Sequence, residues 1–332
     1  MYNFLHKYKL TISRPPQINE NPETITPEDG SVQVVDKEGD YRTVDSLEAI
    51  EITDLAFKGN FNASNTKNSK SAFSFTLKGF RPQTESFVEK NSIVILEVGY
   101  ENSVLSVIFV GQVYDKEVDN SQEVPVMKVM CTEGYTPSNS VKVTKEFPAA
   151  TEGSPAVTYQ DILLYLSGLY SDNGIPIGRE IDLLTNKVGQ GMTLGVDEIE
   201  LVDGYTIQSS YLDSALSKVC KEVGFTYYFN KGRLYIEPQN YQSDLVEQFT
   251  ITPQQVLSIN KIIPKGTLNS KDTQEASAGY RLKIFLDGRL DVGDLIDLRL
   301  DDVNGTFKVK SLEFDMDYEG DSWYTIAEIQ NV

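Results

Sequence analysis

Ser210-Tyr-Leu-Asp-Ser-Ala-Leu-Ser-Lys-Val-Cys-Lys-Glu-Val-Gly-Phe-Thr-Tyr-Tyr-Phe-Asn-Lys-Gly-Arg-Leu-Tyr-Ile236 is the stretch that decides the fold of this chain. Leu212, Leu216, Val219 and Val223 recur at helical spacing, so 210–223 predicts an amphipathic helix that starts at Ser209-Ser210. Asp213 lies near the positive end of that helix's dipole, and Gly224 is a natural residue just past its end. The aromatic run that follows predicts a hairpin turning at Asn230-Lys231-Gly232. Side chains alternate between the two faces of a hairpin, so about half of Tyr227, Tyr228, Phe229 and Tyr235 should pack on the helix. Only Lys231 and Arg233 offer the positive charge that a base-stacking platform needs, so core and interface is the better reading of these rings.

A second helix is predicted over 159–169. Thr158 and Asp161 form a capping-box-like start, Ile162, Leu163, Leu166 and Leu169 keep helical spacing, and Gly174 and Pro176 mark the exit. The two helices and the hairpin make a small α/β module, assigned to 148–244. On its N-terminal side, 1–147, the pattern is strand-like. Phe73, Phe75 and Leu77 alternate with Ser74, Thr76 and Lys78, the mark of a half-buried strand. Further strands are expected at 8–13, 49–61, 92–100, 103–114 and 124–131, with loops at 17–30 and 62–70. On its C-terminal side, 245–332, strands are expected at 256–263, 280–286, 295–300, 306–314 and 323–329, with a loop at 265–278. Asn304-Gly305 is the expected turn between two of these strands. The fold class is therefore β-dominated α+β: two small β-barrel-like domains with an intervening helix–hairpin module.

Composition narrows the function. The chain has 332 residues, a formal net charge of −19 and one histidine. Such acidity disfavours stable nucleic-acid binding and anionic membranes. No apolar run reaches the length of a membrane span, and the N-terminus lacks the apolar core of a cleaved signal peptide. Cys131 and Cys220 make no disulfide framework, and Cys220 lies on the apolar helix face as a small buried thiol.

The chemistry of catalysis is also missing. His6, expected in a frayed N-terminal arm, has no confident partners for a Ser-His-Asp triad, and one histidine with two distant cysteines makes no zinc site. Gly189-Gln190-Gly191 reads as a plain turn and not as a phosphate cradle. Asp315, Asp317 and Glu319 share one strand face, and Asp294 and Asp297 lie close together near a turn. Both groups read as solvated strand edges and not as an acid pair facing a substrate. No catalytic residue, cofactor or metal ligand is assigned.

Three segments then form a pattern in their order. Phe73-Ser-Phe-Thr-Leu77, Val94-Ile-Leu-Glu-Val-Gly-Tyr100 and Ile108-Phe-Val-Gly-Gln-Val113 are similar to the N-terminal barrel of bacteriophage tail baseplate hub proteins. The helix ending at Gly224 with its aromatic hairpin resembles that family's α/β module. Gly293-Asp294 and Asp321-Ser-Trp323 resemble its closing barrel. The family is also similar to the body of type VI secretion spike proteins. The resemblance implies a non-enzymatic homotrimeric ring joining a sixfold tail tube to a threefold central spike. It further implies contact with other baseplate proteins, passage of DNA, assembly in the host cytoplasm and residence at the tail tip of the virion. Asp294, Asp297, Asp301 and Asp302 are then candidates for an acidic lumen. The rival readings are a glycan-binding receptor protein, using exposed aromatics such as Tyr227 and Trp323, and a tail-associated cell-wall hydrolase.

Overall fold

A computed structural model describes residues 5–14, 32–35, 41–44, 49–64, 71–178, 195–238, 248–262 and 279–331. The loops expected at 17–30 and 265–278, most of the connection at 62–70, Gly189-Gln190-Gly191 and the boundary at 244/245 lie outside them.

Alternating apolar and polar residues build the N-terminal strands. They are β1 (His6–Ser13), β2 (Val32–Val35), β3 (Tyr41–Val44), β4 (Ala49–Ile52), β5 (Ala56–Ser64) and β6 (Ala72–Lys78). After the short helix α1 (Pro82–Phe87) come β7 (Ile93–Tyr100), β8 (Ser106–Asp119) and β9 (Val126–Thr132). The middle of the chain holds α2 (Tyr135–Ser140), β10 (Lys142–Phe147), β11 (Val157–Thr158), α3 (Tyr159–Asp172), β12 (Glu200–Leu201) and β13 (Tyr205–Tyr211). It continues through α4 (Leu212–Glu222) into β14 (Phe225–Asn230) and β15 (Arg233–Pro238). The chain then returns to strand with β16 (Gln248–Ile251), β17 (Val256–Ile262), β18 (Gly279–Phe285), β19 (Leu295–Arg299), β20 (Asn304–Asp317) and β21 (Trp323–Asn331). The protein is a β-dominated α+β fold.

The two β regions are one sheet. Its order is β17-β18-β21-β20-β5-β6-β9-β8-β7-β1-β4, with β19 paired to β20 and β16 to β19, thirteen strands in all. The join is the antiparallel pair β5–β20, in register from Lys58↔Asp317 to Ser64↔Ser311. Phe61 sits opposite Phe314 in this pair and opposite Phe73 in the next. The Phe61 and Phe314 rings stack at 5.8 Å, and Phe61 meets Phe109 edge-on at 5.3 Å. Burying each ring contributes about 1.5–3 kcal/mol, and a well-set aromatic pair adds about 0.5–1.5 kcal/mol.

The sheet also curls onto itself. Tyr8 of β1 stacks on Phe57 of β5 at 4.7 Å and donates its hydroxyl to the Leu55 carbonyl at 2.7 Å. Trp323, opening β21, donates its indole N–H to the Gly99 carbonyl in β7 at 3.2 Å. One apolar core, running from Tyr8 to Ile329, therefore serves both regions.

A second core belongs to the helices and hairpin, and gathers Val143, Leu163, Leu166, Leu212, Leu216, Val219, Phe225, Tyr227 and Phe229. The start of α3 is as expected. Thr158 accepts from the Asp161 amide at 3.3 Å, and Asp161 accepts from the Thr158 amide at 2.8 Å. Asp213, in the first turn of α4, accepts from the Tyr227 hydroxyl at 2.8 Å and so ties the helix to its hairpin.

Several expectations need correcting. Ser209 and Ser210 do not cap α4: they lie in β13, and the residue before the helix is Tyr211, which makes no side-chain cap. The turn between β19 and β20 is Asp301-Asp302, closed by Leu300 N–H to the Val303 carbonyl at 3.2 Å, while Asn304 and Gly305 already belong to β20. His6 is not frayed. It pairs with Tyr100 within β1–β7, and its ring stacks on Trp323 at 4.7 Å, tilted by 10°. Of the hairpin's rings, Tyr227 and Phe229 pack into the helix core as expected, and Tyr228 is buried as well, on the other face. Tyr228 is covered because it stacks on Tyr235 at 5.1 Å, beside the strand-like segment that hydrogen-bonds Leu234 at Pro176 and Gly178.

Candidate functional site

A polar ladder crosses the join of the two β regions. Glu313 of β20 accepts from Arg281 of β18 at 2.9 Å and from Asn60 of β5 at 3.3 Å, so one carboxylate spans both β regions. Lys58 and Asp317 form an ion pair at 3.5 Å on the same pair of strands. Lys283 lies 3.6 Å above the Tyr324 ring on the neighbouring strands. Asp315 and Asp317 therefore lie on the face of a central strand and not on an edge, and Glu319 falls beyond the end of β20.

The four acidic residues singled out from the sequence separate into two kinds. Asp294 is buried, and its carboxylate accepts from the Asp291 amide at 2.7 Å, which fixes the turn before β19. Asp297 is half-buried on β19 and pairs with Arg299 at 3.0 Å. Asp301 and Asp302 are exposed at the tip of the β19–β20 turn. The structure thus brings Asp301 and Asp302 to one solvent-facing tip and uses Asp294 as an internal support.

Nucleophiles are equally constrained. Cys131 and Cys220 are both buried, and burial pushes both thiols upward, away from the reactive thiolate. Burial also lowers the imidazole of His6, against smaller opposing effects from the Tyr318 backbone, Asp317 and Asp321. Among the described residues no three His, Cys, Asp or Glu side chains gather into a metal site. Trp323 and Tyr227 are buried, so neither offers a stacking face to a sugar.

The seat of the hairpin tip was not legible in the sequence. Lys231 (φ +49°) and Gly232 (φ +73°) make the two-residue turn, the geometry that matches strand twist in tight hairpins. A Cβ on Gly232 would stand 2.8 Å from a methyl group of Val110, so only glycine fits this close approach to the β sheet. The Gly232 amide donates to Glu133 Oε1 at 3.0 Å. Lys231 bonds Asp291, at 2.8 Å to Oδ1 and 2.9 Å to Oδ2. Ser71 gives its hydroxyl proton to the Phe229 carbonyl at 3.1 Å. The helix–hairpin module is thus fastened to the β body by a polar seat and not by apolar packing alone. The only signal in the sequence was the Asn230-Lys231-Gly232 turn, which says nothing about what the tip touches.

No protein-family model matches the chain, and no curated protein matches it in sequence. Solved structures do. A 43 kDa tail protein of prophage MuSo2 from Shewanella oneidensis superposes with a TM-score of 0.54 at 11% identity, covering 85% of this chain and 94% of that one. A tail protein from Neisseria meningitidis gives a TM-score of 0.53 at 9% identity, with 85% and 94% covered. An E. coli component of the type VI secretion system, described as structurally similar to bacteriophage T4 tail proteins, gives 0.50 at 9% identity, with 84% and 74% covered. A likeness this distant in sequence, over about 85% of the chain, is a likeness of architecture: the chain shares the fold of these tail and secretion proteins.

Proposed function

We propose that this chain is the structural hub of a phage tail tip, assembled in the host cytoplasm and carried in the virion. In this reading three copies form a ring around the tail axis. One face docks the sixfold tail tube, the other receives a threefold central spike, and further baseplate proteins attach outside. The observation that carries the reading is the superposition on tail proteins over 85% of this chain, with both β regions held in one sheet. Two β regions per copy, repeated by a threefold axis, offer six similar edges to a sixfold tube while the ring itself stays threefold. The division into 1–147, 148–244 and 245–332 is part of this proposal, with most of the helix–hairpin core in the middle part and Val143 joining it from β10.

The protein acts by holding partners in place and not by catalysis. Its buried thiols, its stacked histidine and its dispersed carboxylates favour that reading. The hydrolase and glycan-binding alternatives have no observation in their favour, and the two aromatics named for sugar stacking are interior. Of Asp294, Asp297, Asp301 and Asp302, proposed as the acidic lining of the channel, Asp301 and Asp302 are the better placed because they are exposed, whereas Asp294 is buried in its own turn. Like charge along such a channel repels passing phosphates. Electron microscopy of assembled tails carrying a tagged copy of the chain tests the proposal. A label on the tube axis, between tube and spike, is the expected result; a label only on the periphery contradicts it.

A further inference from the structure

Glu133 is fully buried where the hairpin tip meets the β sheet, directly after β9. Its Oε1 accepts from the Gly232 amide at 3.0 Å. Its other oxygen, Oε2, is enclosed with no hydrogen-bond partner among the described residues. The groups facing it come from each element packed around it. The hairpin contributes the amides of Lys231 and Gly232, the residue before β6 contributes Ser71, and the turn before β19 contributes Asp291. From β8 comes Val110, which is uncharged and fixes the approach of Gly232. The Lys231 ammonium is bonded to both oxygens of Asp291. Asp291 is in turn held by Asp294 through its amide at 2.7 Å. The Ser71 hydroxyl donates to the Phe229 carbonyl at 3.1 Å and also lies against the Glu133 carboxyl, where it favours the ionised form.

A buried carboxylate without a counter-ion is costly, whereas a neutral carboxyl accepting one amide bond is not. We propose that Glu133 is a proton-operated latch: neutral, it seats the Lys231–Gly232 tip on the β sheet, and on losing its proton it lets the tip lift, freeing the helix–hairpin module to move. The mechanism is simple. Ionisation leaves an uncompensated charge in the seat, with the Asp291 carboxylate close enough to add repulsion, and opening the seat hydrates that charge. Burial, ahead of the opposing amide and hydroxyl contacts, pushes the carboxyl up to about 7, so the change falls near neutrality. The latch is independent of the chain's place in a tail.

The sign of the linkage follows from the raised value. The closed seat binds a proton that the open seat does not, so closure is most favoured below the ordinary carboxylate range and weakens as pH rises toward the value of the closed state. Hydrogen exchange on the full chain, corrected for intrinsic rates, reads this directly. The Gly232 amide should lose protection by up to about tenfold per pH unit between about pH 5 and 7, then level off. Amides of β5 and β20 should keep theirs, and Glu133→Gln should hold Gly232 protection constant across the range. Pre-existing pH independence at Gly232, loss of protection in β5 and β20 in step with it, or the same pH profile in Glu133→Gln each overturns the latch. If Glu133→Gln does not fold, carbon-13 NMR of the wild-type glutamate carboxyls decides. One glutamate titrating near neutrality is expected; all of them titrating in the ordinary range overturns the proposal.

Discussion

Phe61 is the side chain through which the two β regions meet. It faces Phe314 on one side and Phe73 on the other, and it touches Phe109 across the core. Phe61→Ala should therefore cost about 3–5 kcal/mol, the usual loss for a large buried aromatic, and chemical denaturation measures it. A cost near zero would mean that the two regions are not joined at this position. His6 gives a second, opposite kind of test. Burial against Trp323 lowers its imidazole below the ordinary 6.5, so the unfolded chain takes up the proton first as pH falls. The stability it contributes is present above about pH 6.5 and is lost as pH drops through the folded-state value. Replacing His6 with Phe should keep the stack and flatten the acid side of the melting-temperature profile. A His6→Phe profile that still falls like wild type would remove the residue from the account. Glu133 acts with the reverse sign, so the two variants separate contributions that partly cancel in the native chain.

Helices and hairpins in this protein obey local rules, and their signals lie in neighbouring residues. Thr158 and Asp161 reach each other within one turn, and that reciprocal cap sets the start of α3 in sequence and structure alike. Thr158→Ala should cost about 1 kcal/mol, seen as a small drop in the denaturation midpoint. The stripe Leu212, Ala215, Leu216, Val219, Cys220 places α4 on the hairpin. Leu216→Asp puts an unpaired charge in that core and should destabilise the module by about 3–5 kcal/mol. A variant that melts like wild type would show that the stripe is not buried. Other features were not legible because nothing local encodes them. Asn60 and Glu313 lie 253 residues apart, and each sits in a strand whose alternation names a buried face but no partner. The Asn304-Gly305 step carries a strong turn signal, yet Leu300 pairs with Val303 and the turn falls on Asp301-Asp302 instead. Ser209 and Ser210 look like a helix start, but pairing of β13 with β10 holds Ser210 opposite Val143 in a strand. The seat around Glu133 draws on four separate parts of the chain, so no spacing rule could reveal it.

Taken as one body, the molecule combines a continuous sheet with a fastened helical module and a formal charge of −19. The sheet ends on β17, β4 and β16, and none of the three has a second strand partner among the described residues. Asp301→Asn with Asp302→Asn tests the proposed acidic channel. Ring assembly should be unchanged, while DNA release from tails carrying the variant should slow and become more salt-sensitive. Release at the wild-type rate, with the same salt response, would place those carboxylates on the outer surface. The central claim is that this chain is a threefold hub, and a mass measurement of the full chain, alone and co-expressed with its spike and tube partners, tests it most directly. The account predicts a particle with three copies, ring-shaped in electron micrographs, at least when the spike is present. A chain that stays monomeric with both partners bound would contradict it.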